Sequence, residues 1–355
     1  WVGKYPEAVD EYKRASELDP TMGRAFAGLG ASASSLGRTA EAEEYYKQAL
    51  GRLNRMTDRE KYRTRGGYYL LTRNSDKARE EMQALVQQYP ADSAGLINLA
   101  LAEFYRRNMA KSVELGQQAS ALLPRNVLYK NNTALFAMYA GNFELAEQEA
   151  AGVLEINPAF AKAFVAIALS QLALDRASDA GATWRRLEPL PGSATWFEAL
   201  GLADLAMYQG RLSDAAALLD AAAKAEADPS RQARLLVTLA EVRNLQGRRR
   251  DAVTLARQAT TVSDRASIAF LAGRELARSG QTKEAFETVR KLLQRLDAES
   301  LANARVLEGE IALQENDPRK AIERFKTAQQ FADSWLGRFG LGRAYLAAGA
   351  IAEAD

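Results

Sequence analysis

Residues 141–158 read GNFELAEQEAAGVLEINP, and residues 3–20 read GKYPEAVDEYKRASELDP. Both open on Gly, place an aromatic two residues later and Ala five later, and close on Asn-Pro or Asp-Pro. Glycine accepts the left-handed backbone that ends a helix, and proline cannot continue one. Between them, Ala146, Ala150 and Val153 recur at i, i+4 and i+7, which lays one apolar stripe on a helix. The stretch predicts a turn, a helix over 144–156 and a stop.

The same punctuation runs along the chain. The alanine anchor falls on Ala8, Ala42, Ala78, Ala146, Ala180, Ala215, Ala252, Ala285, Ala321 and Ala354, with Ser112 standing in once. Successive anchors lie 33 to 37 residues apart, a period that marks a repeat array. About a dozen helix-compatible residues precede each turn, as at 159–173 and 267–279. Each unit therefore reads as two antiparallel helices joined by a tight turn. One such hairpin cannot bury its stripe alone, but stacked neighbours share a continuous core. Large-small pairs such as Leu29-Gly30, Leu99-Ala100 and Leu239-Ala240 suit helices that approach closely.

Composition agrees with an all-α chain of 355 residues that is 47% apolar. Net charge is +2 with the signs interspersed, so nucleic acid is not an expected partner. The chain has no cysteine and no histidine, which removes thiol nucleophiles, imidazole bases and the usual zinc ligands. No phosphate loop or nucleophile elbow is present. No run reaches the roughly 18 apolar residues of a membrane span. No catalytic, cofactor or metal residue is expected. The absence of cysteine leaves the compartment open.

The repeat resembles the tetratricopeptide repeat family. Gly3, Tyr5, Ala8, Tyr12, Ala15 and Pro20 fit its pattern, and Phe26, Leu29, Gly30, Gly37, Ala42, Tyr46 and Ala49 continue it. The resemblance covers residues 3 to 354. It implies an all-α, right-handed superhelical solenoid of stacked helix-turn-helix hairpins that binds proteins or peptides. On this reading 1–20 is a half repeat, about nine full repeats fill 21–333, and 334–355 is another half. The loop at 189–193 is a candidate hinge within a single array. Both ends cut a repeat, so the chain reads as part of a longer one, and its open ends are expected to self-associate.

A narrower resemblance rests on residues 56–101, through Asp58, Arg59, Glu60, Tyr68, Tyr69, Tyr89, Pro90, Asp92, Asn98, Leu99 and Ala100. This stretch is similar to repeat regions that follow bacterial membrane-linked Ser/Thr kinase domains. It implies a regulatory or sensing part of a larger bacterial protein, cytoplasmic, or extracytoplasmic if membrane-linked. The alternative is an accessory region of a chain that is a phosphotransferase as a whole. No kinase motif lies in these residues.

In arrays of this type the first helix of each hairpin lines the inner face. The candidate partner groove consists of Ile97, Leu101 and Phe104, then Asn131, Leu135 and Met138, then Leu169 and Leu172, with the Asn131 amide fixing register. The competing assignment is packed core. Further along, Glu241, Asn244, Arg274, Glu310 and Arg343 make the same face polar, and a solvated face is expected there. The family's clamp for a terminal carboxylate is absent, since Ala27, Ala31, Arg63, Gly67, Ile97 and Leu101 occupy its places. Trp184, Trp196 and Trp335 are expected to pack inside.

Overall fold

A computed structural model describes residues 4–190, 192, 194–295 and 297–354, and all regular structure among them is helical. The chain divides into two compact units, 1–183 and 184–355. Unit 1 opens on α1 (Tyr5–Leu18) and continues in hairpins. These are α2 (Gly23–Ser35) with α3 (Thr39–Leu50), α4 (Asp58–Leu71) with α5 (Ser75–Gln88), and α6 (Ser93–Tyr105) with α7 (Met109–Leu122). Next come α8 (Val127–Tyr139) with α9 (Phe143–Ile156), and α10 (Ala161–Ala173) with α11 (Ala177–Arg185). Unit 2 holds α12 (Ala194–Tyr208) with α13 (Leu212–Ala225), and α14 (Pro229–Leu245) with α15 (Arg249–Val262). It continues through α16 (Ala266–Arg278) with α17 (Thr282–Leu293), α18 (Ala298–Gln314) with α19 (Pro318–Phe331), and α20 (Trp335–Ala347) with α21 (Ile351–Ala354). The division between units falls inside α11, at Thr183 and Trp184, ahead of the candidate hinge at 189–193. Pro191 and Ser193 of that hinge lie outside the described residues.

The turns are made as the punctuation predicts. Gly141 takes φ +79° after α8, and the following Asn142 N–H donates to the Ala137 carbonyl at 2.9 Å. That five-residue bond satisfies a carbonyl left free at the helix end. The same bond recurs from Arg211 to Ala206 at 2.8 Å and from Gln281 to Leu276 at 2.8 Å. Arg73, Arg107, Asp175 and Asn316 hold the left-handed position without glycine. Asn142 then caps α9 by accepting the Leu145 N–H, and Asn74 caps α5 in the same way from Lys77.

Packing explains the anchors. Ala42, Ala78, Ala146, Ala215, Ala252, Ala285 and Ala321 are all fully buried, as is Ser112. Small residues on the first helices admit large ones from the second. A Cβ on Gly201 would sit 2.3 Å from the Trp184 ring, and one on Gly30 would sit 2.7 Å from Tyr46. Phe325 lies between Gly309 and Gly340, where added Cβ atoms would approach its ring to 2.8 and 2.4 Å. Trp184 is buried and the Trp196 indole N–H donates to the Arg231 carbonyl, as packing residues should. Trp335 differs. It is 69% exposed on α20, on one stripe with the exposed Phe339 and Leu346. Among the described residues, no helix is long and apolar enough to cross a membrane.

Two glycines should fail for different reasons. In Gly201→Ala the new methyl meets the Trp184 ring, with an expected loss of about 1–3 kcal/mol and a changed tryptophan emission. In Gly210→Ala the methyl meets nothing within 4 Å, but φ is +73°. An expected loss of about 1–2 kcal/mol there comes from the backbone, with tryptophan emission unchanged. Urea unfolding with fluorescence separates the two.

Candidate partner-binding faces

In unit 1 the predicted groove residues divide. Ile97 is 6% exposed and belongs to a core with Met82, Leu85, Leu96, Leu99, Leu115 and Phe136. Asn131 is 3% exposed, and its buried Oδ1 receives no hydrogen bond from a protein group. Neither presents a surface to a partner, which corrects the sequence expectation for these two residues. The reason is the close packing of helices around them. Leu101, Phe104, Leu135, Met138, Leu169 and Leu172 remain half-buried on α6, α8 and α10. The Phe104 ring fills the space between α6 and α8, 5.4 Å from Phe136 and 5.2 Å from Tyr139. Tyr139 is exposed beyond it.

The residues behind the narrower resemblance serve the local fold. Thr57 and Glu60 form a reciprocal capping box at the start of α4. Asp92 caps α6 by accepting the Gly95 N–H at 2.8 Å. It also accepts Arg59 Nε at 2.7 Å and Arg63 Nη2 at 2.7 Å. Burial pushes the Asp92 carboxyl up, but the Arg63 and Arg59 hydrogen bonds outweigh it and hold the group below the usual carboxylate range. Tyr68 packs edge-on against Tyr46 at 6.5 Å.

In unit 2 the polar face is a network rather than a solvated surface. Arg274 is 8% exposed, and its Nε donates to both Glu310 oxygens, at 2.9 and 2.8 Å, tying α16 to α18. Arg278 Nη1 donates to Glu241 Oε1 at 3.1 Å, tying α16 to α14, and to Glu275 Oε1 at 2.9 Å. Asn244 Nδ2 donates to Glu275 Oε2 at 2.9 Å, and Ser279 Oγ donates to Asn244 Oδ1 at 2.8 Å. The expectation of a solvated face fails for Arg274 and Glu310, whose opposite charges on neighbouring first helices come within bonding distance, whereas Glu241 and Asn244 stay partly exposed and Arg343 is exposed.

Glu275 is 2% exposed, and burial pushes its carboxyl up to about 7. Arg278, the Asn244 hydrogen bond and Arg274 oppose that rise, and Glu241 adds to it. Sequence reasoning singled out Glu241, Asn244, Arg274, Glu310 and Arg343 but missed Glu275 and Arg278. Their i, i+3 spacing was the available signal. Among the described residues, no group of three acidic side chains is placed to hold a metal ion.

The sequence profile described as "Tetratricopeptide repeat" matches residues 2–55, 200–248 and 306–354. A curated protein of Mycosarcoma maydis, "Small glutamine-rich tetratricopeptide repeat-containing protein 2", is 39% identical over 49 residues. That match covers 14% of this chain and 14% of the relative's length. Among solved structures, yeast Tom70 aligns over 98% of this chain and 86% of its own, at 16% identity and a TM-score of 0.59. A thermophilic tetratricopeptide repeat protein of Thermus thermophilus aligns over 49% of this chain and 95% of its own, at 21% identity and a TM-score of 0.42. Over those three segments the chain matches tetratricopeptide repeats, and the Tom70 likeness shows the fold alone.

The Glu275 carboxyl should leave a signature in stability. The native state keeps its proton between pH 4.5 and about 7, where the unfolded chain has lost it. Stability therefore falls as pH rises through that window, by roughly 3 kcal/mol. Glu275→Gln should flatten this fall while leaving stability below pH 4.5 nearly unchanged. Urea midpoints at several pH values check this, and parallel curves for both proteins would refute the burial argument.

Proposed function

We propose that this chain is a non-catalytic protein-interaction scaffold that takes an extended or helical segment of a partner on its first-helix faces. The observation that carries this reading is the half-buried apolar row Leu101, Phe104, Leu135, Met138, Leu169 and Leu172 in unit 1, with Tyr139 open beside it. These side chains sit on helices already fixed by their hairpins, so a partner would order little of the receptor on binding. The spacing of such a row suits the i, i+3, i+4 anchors of an apolar helix. A tetratricopeptide repeat fold is compatible with this role.

Peptides selected by display on the full chain provide the test. Leu135→Glu combined with Leu169→Glu places two charges on the row at half-buried positions. The variant should stay helical by circular dichroism and lose at least about tenfold in affinity for the selected peptides. A folded variant with unchanged affinity removes the row from the binding face.

A further inference from the structure

The first-helix position that carries Leu101, Leu135 and Leu169 in unit 1 carries Asp204 of α12 and Glu241 of α14 in unit 2, each eleven residues before its anchor. The two acids meet different company. Glu241 is bonded by Arg278 at 3.1 Å. Asp204 makes no hydrogen bond or ion pair among the described residues. It is exposed, but the chain around it strips away enough water that burial pushes its carboxyl up to about 6. Two charges act on it besides, both from α14: Arg234 opposes the rise without forming an ion pair, and Glu241 adds to it. Leu200, Met207 and Tyr208 lie at i−4, i+3 and i+4 from Asp204 and share its side of α12. Leu200 and Met207 are half-buried. Tyr208 is exposed, as is Leu245, one turn beyond Glu241 on α14. The face is thus apolar around one answered and one unanswered carboxylate.

We infer that this face of α12 and α14 takes a basic side chain, arginine or lysine, carried on an apolar partner segment, with Asp204 as the anion that meets it. The inference rests on the scaffold reading and adds the chemical class of the partner on the first helices of unit 2. Charge complementarity carries it. An acidic segment would meet Asp204 and Glu241 as like charges, and a neutral one leaves Asp204 unanswered. A cation finds there a carboxylate already short of water, so much of the desolvation that weakens ion pairs has been met in folding. The long apolar stem of arginine or lysine can cover Leu200 and Met207 while its head reaches Asp204. The Tyr208 ring, one turn on, adds a second preference for cations. A bare metal ion would need further oxygen ligands, and among the described residues no group of three acidic side chains is placed to supply them.

The test uses the full chain and fluorescent alanine-leucine peptides with blocked ends and one central arginine, citrulline or glutamate. Citrulline keeps the shape of arginine without its charge. At about pH 7.5 the arginine peptide should bind about tenfold more tightly than the citrulline peptide, the size expected of one charge-assisted contact, with the glutamate peptide weakest. Lowering the pH to about 5 protonates Asp204 while arginine keeps its charge, so the preference should shrink toward parity. Asp204→Asn, which keeps the side chain's shape, should bring the arginine and citrulline peptides level at both pH values. Asp214→Asn, an exposed acid in the first turn of α13, should preserve the preference. Equal binding of the arginine and citrulline peptides to the unaltered chain, or no binding of either, overturns the inference. So does a preference that survives Asp204→Asn or does not weaken at the lower pH. Tightest binding by the glutamate peptide would reverse the assigned sign and overturn it as well. Equal affinities with binding retained leave the scaffold reading standing, so the two failures are distinguishable.

Discussion

Close approach of two helices through one small residue is the constraint from which the rest of each hairpin follows. Ala42, Ala78, Ala146, Ala215, Ala252, Ala285 and Ala321 have no exposed surface. Where the facing position is glycine, a side chain of a neighbouring helix lies so near that a methyl would collide with it, as for Trp184 over Gly201 and Met82 over Gly66. The small side chain lets the backbones approach, and the large one fills the groove this leaves. The turn must then reverse the chain within a few residues. A left-handed residue does so, and its five-residue hydrogen bond closes the helix end. Arg73 and Arg107 accept the same strained conformation without glycine, which shows that the packing, more than turn propensity, dictates where the chain reverses.

Given this scaffold, the first-helix face is free to vary, and the two units use it differently. In unit 1 it carries leucines and aromatics, and the Phe104 ring against Phe136 and Tyr139 fills the space between α6 and α8. In unit 2 it carries Glu241, Arg278, Arg274 and Glu310 in paired order. Desolvating such pairs costs several kcal/mol per ion before attraction and hydrogen bonding offset it, and apolar side chains of similar volume would hold the helices about as well. What the pairs add is register. Arg274 can bond both Glu310 oxygens in only one alignment of α16 against α18.

The fold was legible in the sequence because its cause is periodic. The anchors and turns recur at nearly fixed spacing, and even Ser112 could be placed as an alanine substitute. The candidate faces were legible only in part. Periodicity tells which residues share a helix face, but not how near the next helix lies. Ile97 and Asn131 fall on the expected rows, yet neighbouring side chains close over them. The same gap made the charges of unit 2 read as solvated. Alternating sign at equivalent repeat positions is visible in the chain, but pairing depends on a four-residue offset between Arg274 and Arg278 that only the packed helices reveal. Trp335 was misplaced for a related reason: its helix has the composition of a buried element, yet this side chain stands exposed.

A network that pairs charge with charge is silent toward a partner wherever it is complete. Arg274 and Glu310 satisfy one another and offer little to an incoming group. In unit 1 the interior Asp92 is answered by two arginines and a backbone N–H, and nothing is left over. In unit 2 Glu310 answers Arg274, and Glu241 and Glu275 answer Arg278. A ligand that met the apolar row of unit 1 would gain area instead, which many segments can supply.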